Sequence, residues 1–210
     1  MSEPGPAHTT RIAVLFEGSL AVAALTIGWL AGNSPLVGVD TSGAQTREQI
    51  EAVGWGLIAT LPLLAGLLVV DRIPLAPLRR VRDMTATIVS HLFSGASLLQ
   101  LAAVSVMAGF GEELLFRGLL QAGVSSGLPP DWGPWAALAV GAVAFGVCHW
   151  LNTTYALLAV LAGAYFGFLM LATHSIWTPI TAHATYDFIA LVYLVGPRRV
   201  VGSGDRVSGE

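Results

Sequence analysis

The feature that most constrains the fold of this chain is a run of 55 residues, 132–186, without Asp, Glu, Lys or Arg. A helix needs about 20 apolar residues to cross the hydrocarbon core of a bilayer, so this run is long enough to cross more than once. Its polar breaks lie at 152–154 and 173–175. Because backbone polar groups in lipid must be paired within the protein, the run predicts several membrane-spanning helices.

Composition excludes the soluble classes of protein. Charged residues make up 11% of the 210 residues and hydrophobic residues 54%, whereas soluble domains carry about 25% charged residues. The charge is too low for a soluble globule, a disordered chain or a nucleic-acid-binding protein. The single cysteine, Cys148, excludes a disulfide framework, and without a GxxxxGK[ST] loop no nucleotide partner is expected. We predict an all-α, polytopic membrane protein.

Hydropathy divides the chain into about six spans, with an interfacial helix at 84–97 that leads into the third. A division into seven or eight spans, which splits 84–124 in two, stays open. We expect a single membrane-embedded domain at 11–201, between polar, disordered tails at 1–10 and 202–210. The predicted spans are 12–32, 52–70, 98–124, 133–151, 155–172 and 176–195.

The arginines set the predicted orientation. Four of them lie between residues 72 and 82, Arg198 and Arg199 follow the last span, and Arg11 precedes the first. The first loop, 33–51, is mainly acidic. With six spans all the basic segments lie on one side of the membrane, which predicts that both termini are cytoplasmic.

Five formal charges fall within the predicted spans. A charge at the centre of a spanning helix costs about 2.5–3.5 kcal/mol on insertion scales. A leucine would pack there without this cost, so intramembrane ionisable groups are candidates for function. His149 and His183 add two titratable groups to the same spans. The five charged residues are Glu17, Glu112, Glu113, Arg117 and Asp187.

Helical spacing separates the two adjacent glutamates. Glu113 and Arg117 are four residues apart with the acid first, the favourable order for an ion pair. Glu112 is offset by about 100° around the helix and need not share that pair. Glu112 is therefore a free carboxylate in apolar surroundings and a candidate general base.

The other polar residues lie on two later spans. His183 and Asp187 are four residues apart and share one helix face, as do Phe145 and His149. Three helices are therefore expected to converge on one polar pocket, with Glu112 contributed by the third span.

Activation of water for attack on a carbonyl is the chemistry that fits this pocket. Glu112, helped by His149, would take the proton from water. His183 and Asp187 would polarise the carbonyl or stabilise the oxyanion. A zinc alternative stays open, since Glu112, His149 and His183 make a His2Glu set with one open position.

These residues form a pattern of three short motifs in order. Residues 112–117 read EExxxR, 145–149 read FxxxH and 183–187 read HxxxD, each on its own hydrophobic helix. Over about 98–190 the chain resembles the CAAX protease and bacteriocin-processing family of intramembrane endopeptidases. EELLFRG is the most specific part of the resemblance, and the first two spans carry no motif.

The resemblance implies a membrane-embedded peptidase in a bacterial inner membrane, with a peptide or membrane-protein substrate. Eukaryotic relatives cleave the last three residues from prenylated CAAX proteins, and bacterial members are tied to bacteriocin processing or immunity. The family is often called metalloprotease, and a metal-free glutamate mechanism is also proposed for it, so zinc or another divalent metal stays open. The implied catalytic residues are Glu112, His149, His183 and Asp187, with structural support from Glu113, Arg117 and Phe145.

Two other functions stay open. One is a non-catalytic membrane scaffold or bacteriocin-immunity protein that uses the same fold to bind a peptide. The other is a proton-coupled carrier, since buried Glu and His also build proton relays, although the chain lacks a matched pair of broken helices. Glu17 has no partner in the sequence, and we expect it at an interface or in a polar network.

Overall fold

The computed structural model describes residues 6–40 and 42–196, and within these ranges the chain is helical without strands. The predicted all-α class is therefore confirmed. The tail predicted at 202–210 lies outside the described residues, as do 1–5 and the arginine pair 198–199.

Seven helices form the described part of the chain. The first begins at Pro6, so residues 6–10, expected in a disordered tail, are helical. The helices are α1 (Pro6–Leu30), α2 (Thr46–Arg72), α3 (Ala76–Phe93), α4 (Leu98–Ser126), α5 (Gly133–Cys148), α6 (Thr153–Thr173) and α7 (Trp177–Val195).

Four of the helices, α1, α2, α4 and α6, are long and apolar enough to cross a membrane. Helix α5 is apolar but has 16 residues. Helix α7 has 19 residues and is made more polar by His183 and Asp187. Six crossings therefore stay a prediction.

The break between α3 and α4 lies at residues 94–97 and corrects the interfacial helix predicted at 84–97. Gly95 adopts a φ of 81°, which disfavours other residues. Ser97 then caps α4, since its hydroxyl accepts from the Gln100 N–H at 3.3 Å and its own N–H donates to the Gln100 side chain at 2.8 Å. Helix α3 starts earlier than predicted, where Pro77 occupies its first turn.

Helix α4 lies between α1 and α7 and approaches both closely. A methyl group added at Gly109 would lie 2.8 Å from the backbone nitrogen of Ala184 in α7. A methyl group at Gly111 would overlap the carbonyl oxygen of Glu17 in α1. Small residues at such crossings let membrane helices pack tightly, and here they bring α1 and α7 against the turn that carries Glu112.

Helix α4 changes to π-helical hydrogen bonding over Leu114–Gln121, directly after the two glutamates. Such π-helical turns are frequent at functional sites. Two side chains of this segment bind carbonyls of α6: Arg117 Nη2 donates to Gly163 at 2.8 Å and Gln121 Nε2 to Gly167 at 3.1 Å. The π-helical segment therefore anchors α6 beside the polar residues of α4.

Candidate active site

Glu112 and His149 face each other between α4 and the end of α5. Glu112 Oε2 lies 3.5 Å from His149 Nε2, a loose contact of the kind that catalytic pairs often show before substrate binds. His149 Nδ1 lies 2.8 Å from the carbonyl oxygen of Phe145. Because a carbonyl only accepts, Nδ1 carries a hydrogen, and Nε2 is the nitrogen that can exchange a proton with Glu112.

The end of α5 explains this orientation. The helix ends at Cys148, short of the predicted end of the span at 151, and the His149 N–H caps it by donating to Phe145. His149 thus directly follows the last residue of α5, and its side chain meets Glu112 of α4.

A second cluster, formed by Glu113, Arg117 and His183, lies behind this pair. Glu113 Oε1 is 3.1 Å from Arg117 Nη1 and 2.7 Å from His183 Nδ1. The structure thus contains the Glu113–Arg117 ion pair expected from the i,i+4 spacing, but the same carboxylate oxygen also binds a histidine of another helix. No sequence signal indicated that second contact, because spacing along one helix carries no information about a different helix.

His183 lies between two carboxylates. Its Nε2 is 3.5 Å from Asp187 Oδ2, and its Nδ1 faces Glu113. Each ring nitrogen can therefore donate to an acid, which fixes the plane of the imidazole. The i,i+4 pairing of His183 with Asp187, inferred from spacing, is present in α7.

Two phenylalanines hold the imidazoles in place. Phe145 stacks on His149 with a centroid distance of 4.3 Å, and Phe166 stacks on His183 at 4.7 Å. The Arg117 guanidinium lies 4.7 Å from the Phe145 centroid and 5.4 Å from that of Phe166, within cation–π range. Phe145 was expected to support the site, whereas Phe166 was missed because it belongs to no motif.

Exposure divides the site into two layers. The side chains of His149 and Glu112 are 28% and 12% exposed, and that of Asp187 is 30% exposed. The side chains of Glu113 and Arg117 are 0% exposed, and His183 is 6% exposed. The front layer (Glu112, His149 and Asp187) is the more exposed, and the back layer (Glu113, Arg117 and His183) is buried behind it.

The donor set expected for zinc is not gathered in this arrangement. Among the described residues no three His, Cys, Asp or Glu side chains are grouped to hold one metal ion. His183, the third expected ligand, directs both ring nitrogens at carboxylates. In these positions Glu112, His149 and His183 do not form a zinc site. Metal dependence stays a prediction.

Comparison with protein families identifies the core of the chain. Residues 93–189 match the family model described as type II CAAX prenyl endopeptidase Rce1-like. This segment, just under half of the chain, is similar to that family. No curated protein and no solved structure matches the chain.

The Rce1-like segment runs from the last residue of α3 into α7 and contains all seven predicted site residues. The match confirms the resemblance inferred from the three motifs. The apolar helices indicate a membrane protein, and over the matched segment it is similar to CAAX-type peptidases. Helices α1 and α2, with Glu17, lie outside the matched segment.

Proposed function

We propose that this chain is an intramembrane endopeptidase that hydrolyses peptide bonds with water activated by Glu112. The observation that carries the proposal is the pairing of Glu112 with His149 at 3.5 Å on the accessible side of the site. The similarity of residues 93–189 to the Rce1-like family supports a peptide substrate.

Glu112 acts as the general base in this proposal. It takes a proton from water as the water oxygen attacks the carbonyl carbon of the scissile bond. His149 holds or exchanges that proton through Nε2, because its Nδ1–H is bound to the Phe145 carbonyl. The proton then passes to the leaving nitrogen as the C–N bond breaks, which gives a carboxylate and an amine.

His183 acts on the opposite side of the carbonyl. Its Nε2–H donates to the oxyanion of the tetrahedral intermediate while Glu113 fixes Nδ1. Asp187 faces the same Nε2, so its carboxylate turns away from that nitrogen when the oxyanion forms. Removing one oxyanion donor typically lowers kcat by about 10²–10³-fold, which is the effect we assign to loss of His183.

The proposal extends to substrate and location. The substrate is a peptide segment of a membrane-embedded or lipid-modified protein, such as a prenylated C-terminus or a bacteriocin precursor. The arginines of 72–82 favour a cytoplasmic side for both termini, in a bacterial inner membrane. The zinc alternative would need Glu112, His149 and His183 to rearrange, and no step above passes through a metal.

The proposal is tested with purified protein in liposomes, using a pool of synthetic transmembrane peptides and farnesylated C-terminal peptides. Products are identified by mass spectrometry for the wild type, Glu112→Gln and the matched control Glu48→Gln, which changes an exposed residue at the start of α2. We expect cleavage by the wild type and the control only. A Glu112→Gln protein that cleaves normally would show that another group is the base.

The non-catalytic scaffold is an outcome of the same experiment. A scaffold or immunity protein yields no cleaved peptide in any sample. It also tolerates replacement of both Glu112 and His149 without loss of its cellular phenotype.

A further inference from the structure

Glu17 is a carboxylate within a spanning helix to which the mechanism above assigns no role. It lies in α1, outside the segment that matches the Rce1-like family. A charged group within a spanning helix is costly and usually faces the protein interior or a water-filled cavity. The groups that surround Glu17 in the folded protein therefore decide which role its carboxylate can have.

The packing of α1 brings Glu17 to the site. The Glu17 carbonyl fills the space beside Gly111, directly next to Glu112 in sequence. One residue further along α1, a methyl group at Gly18 would lie 3.2 Å from Met107 Cε of α4. Two successive residues of α1 thus contact α4, so α1 passes directly beside the turn that carries the proposed base.

The Glu17 carboxyl group lies near polar residues of both layers of the site. It lies within electrostatic range of His183 and Asp187 of α7 and of Glu112 of α4. Glu17 is therefore a third acid near Glu112 and Asp187.

One oxygen of Glu17 is left unsatisfied. Among the residues that the structure describes, Oε2 is buried and has no hydrogen-bond partner. A buried polar atom without a partner destabilises a fold, so its presence calls for a physical explanation. Hydrogen-bond donors in a bound peptide are the N–H groups of its backbone, which need an acceptor when they leave water.

We propose that Glu17 is a substrate-binding residue, in which the free carboxyl oxygen accepts a hydrogen bond from a backbone N–H of the peptide being cleaved. The inference rests on the proposed function for its substrate class. Helix α1 thereby supplies one wall of the site that the family-matched segment alone does not provide.

The first test measures thermal stability of the full-length protein in detergent micelles, without any substrate. Glu17→Met removes the unsatisfied oxygen and keeps the side-chain length. We expect its Tm to equal or exceed that of the wild type, with a gain of about 2–4 °C. A Tm several degrees below the wild type would show that Glu17 has a structural partner, and would overturn the proposal.

The second test measures cleavage of the peptide pool in liposomes by the same variants. Glu17→Met should lower kcat/KM by about 10- to 100-fold, as expected for loss of a hydrogen bond to a charged acceptor, and mainly through KM. Glu17→Gln keeps an oxygen acceptor and should lose less. Equal kcat/KM for Glu17→Met and the wild type would overturn the proposal.

The two proposals fail in different ways. If neither the wild type nor the Glu112 variant cleaves any peptide, the peptidase proposal fails, and the Tm of Glu17→Met still decides whether its carboxyl group is structural. If the wild type cleaves and Glu112→Gln does not, the peptidase proposal stands, and the KM of Glu17→Met decides the role of Glu17.

Discussion

Replacing Arg117 with methionine should destabilise the protein by about 3–5 kcal/mol, the range for removing one partner of a buried ion pair. Arg117 and Glu113 are both fully buried, with Nη1 and Oε1 3.1 Å apart. Methionine fills much of the volume of the arginine but leaves the Glu113 carboxylate with His183 as its remaining partner in the described structure. The carbonyl of Gly163 also loses the side-chain donor that Arg117 supplies.

The destabilisation is measured by titrating the folded protein in mixed micelles with SDS and following its helicity. The matched control is Arg47→Met, because Arg47 forms a 2.8 Å pair with Glu51 whose side chains are 87% and 55% exposed. An exposed pair of this kind contributes about 0.2–1 kcal/mol. The difference in unfolding free energy between the two variants therefore measures the effect of burying the ion pair, because both variants lose an arginine.

A double variant separates charge from packing. Glu113→Gln removes the buried negative charge, so Arg117→Met should cost less in that background, with a coupling energy above about 1 kcal/mol. If Arg117→Met costs less than about 1 kcal/mol in the wild-type background, as exposed pairs do, the buried pair does not hold the site together. That result would refute the assignment of a back layer.

Two further predictions concern packing and a loop. Gly109→Ala should destabilise α4 against Ala184 by about 1–3 kcal/mol in thermal unfolding, the usual cost of overpacking. The control Gly66→Ala, where an added methyl group meets nothing within 4 Å, should be neutral or stabilising. Equal changes in stability for the two variants would contradict the close crossing of α4 and α7 at Gly109. Hydrogen bonds from Ser42 hold the pKa of Asp40 below its ordinary value. These hydrogen bonds therefore stabilise the protein above the ordinary pKa of the carboxyl group, and the stabilisation is lost as the pH falls through the lowered pKa. Asp40→Asn should reduce the loss of stability on acidification. A variant whose stability depends on pH as the wild type's does would contradict this.

The sequence predicted the contacts that the geometry of a single helix determines. The pairs Glu113–Arg117 and His183–Asp187 follow from a spacing of four residues on one helix, and both are present. The membrane-protein class followed from the low charge.

The contacts between helices could not be predicted in this way. The 2.7 Å contact of Glu113 with His183 and the stacking of Phe166 on His183 depend on how α4, α6 and α7 rotate and slide against each other. Sequence spacing within one helix carries no information about that rotation. The π-helical turn at Leu114–Gln121 was missed because it is a local change of hydrogen bonding within an apolar stretch that reads as ordinary helix.

Glu17 illustrates the same limit. The sequence indicated an unusual charge in the first span but offered no partner, because its neighbours lie between 94 (Gly111) and 170 (Asp187) residues away along the chain. The glycines that let α1 approach α4 were visible in the sequence, although glycine alone does not indicate which helix fills the space.

The measurement that most directly tests the central claim compares the protein termini in cells that produce the wild-type protein and the Glu112→Ala variant. Both proteins are first shown to be inserted in the membrane at equal levels. New carboxyl and amino termini are then identified by mass spectrometry. The peptidase account predicts a set of cleavage products that is present with the wild type and absent with Glu112→Ala. Identical termini in the two cell populations would contradict it.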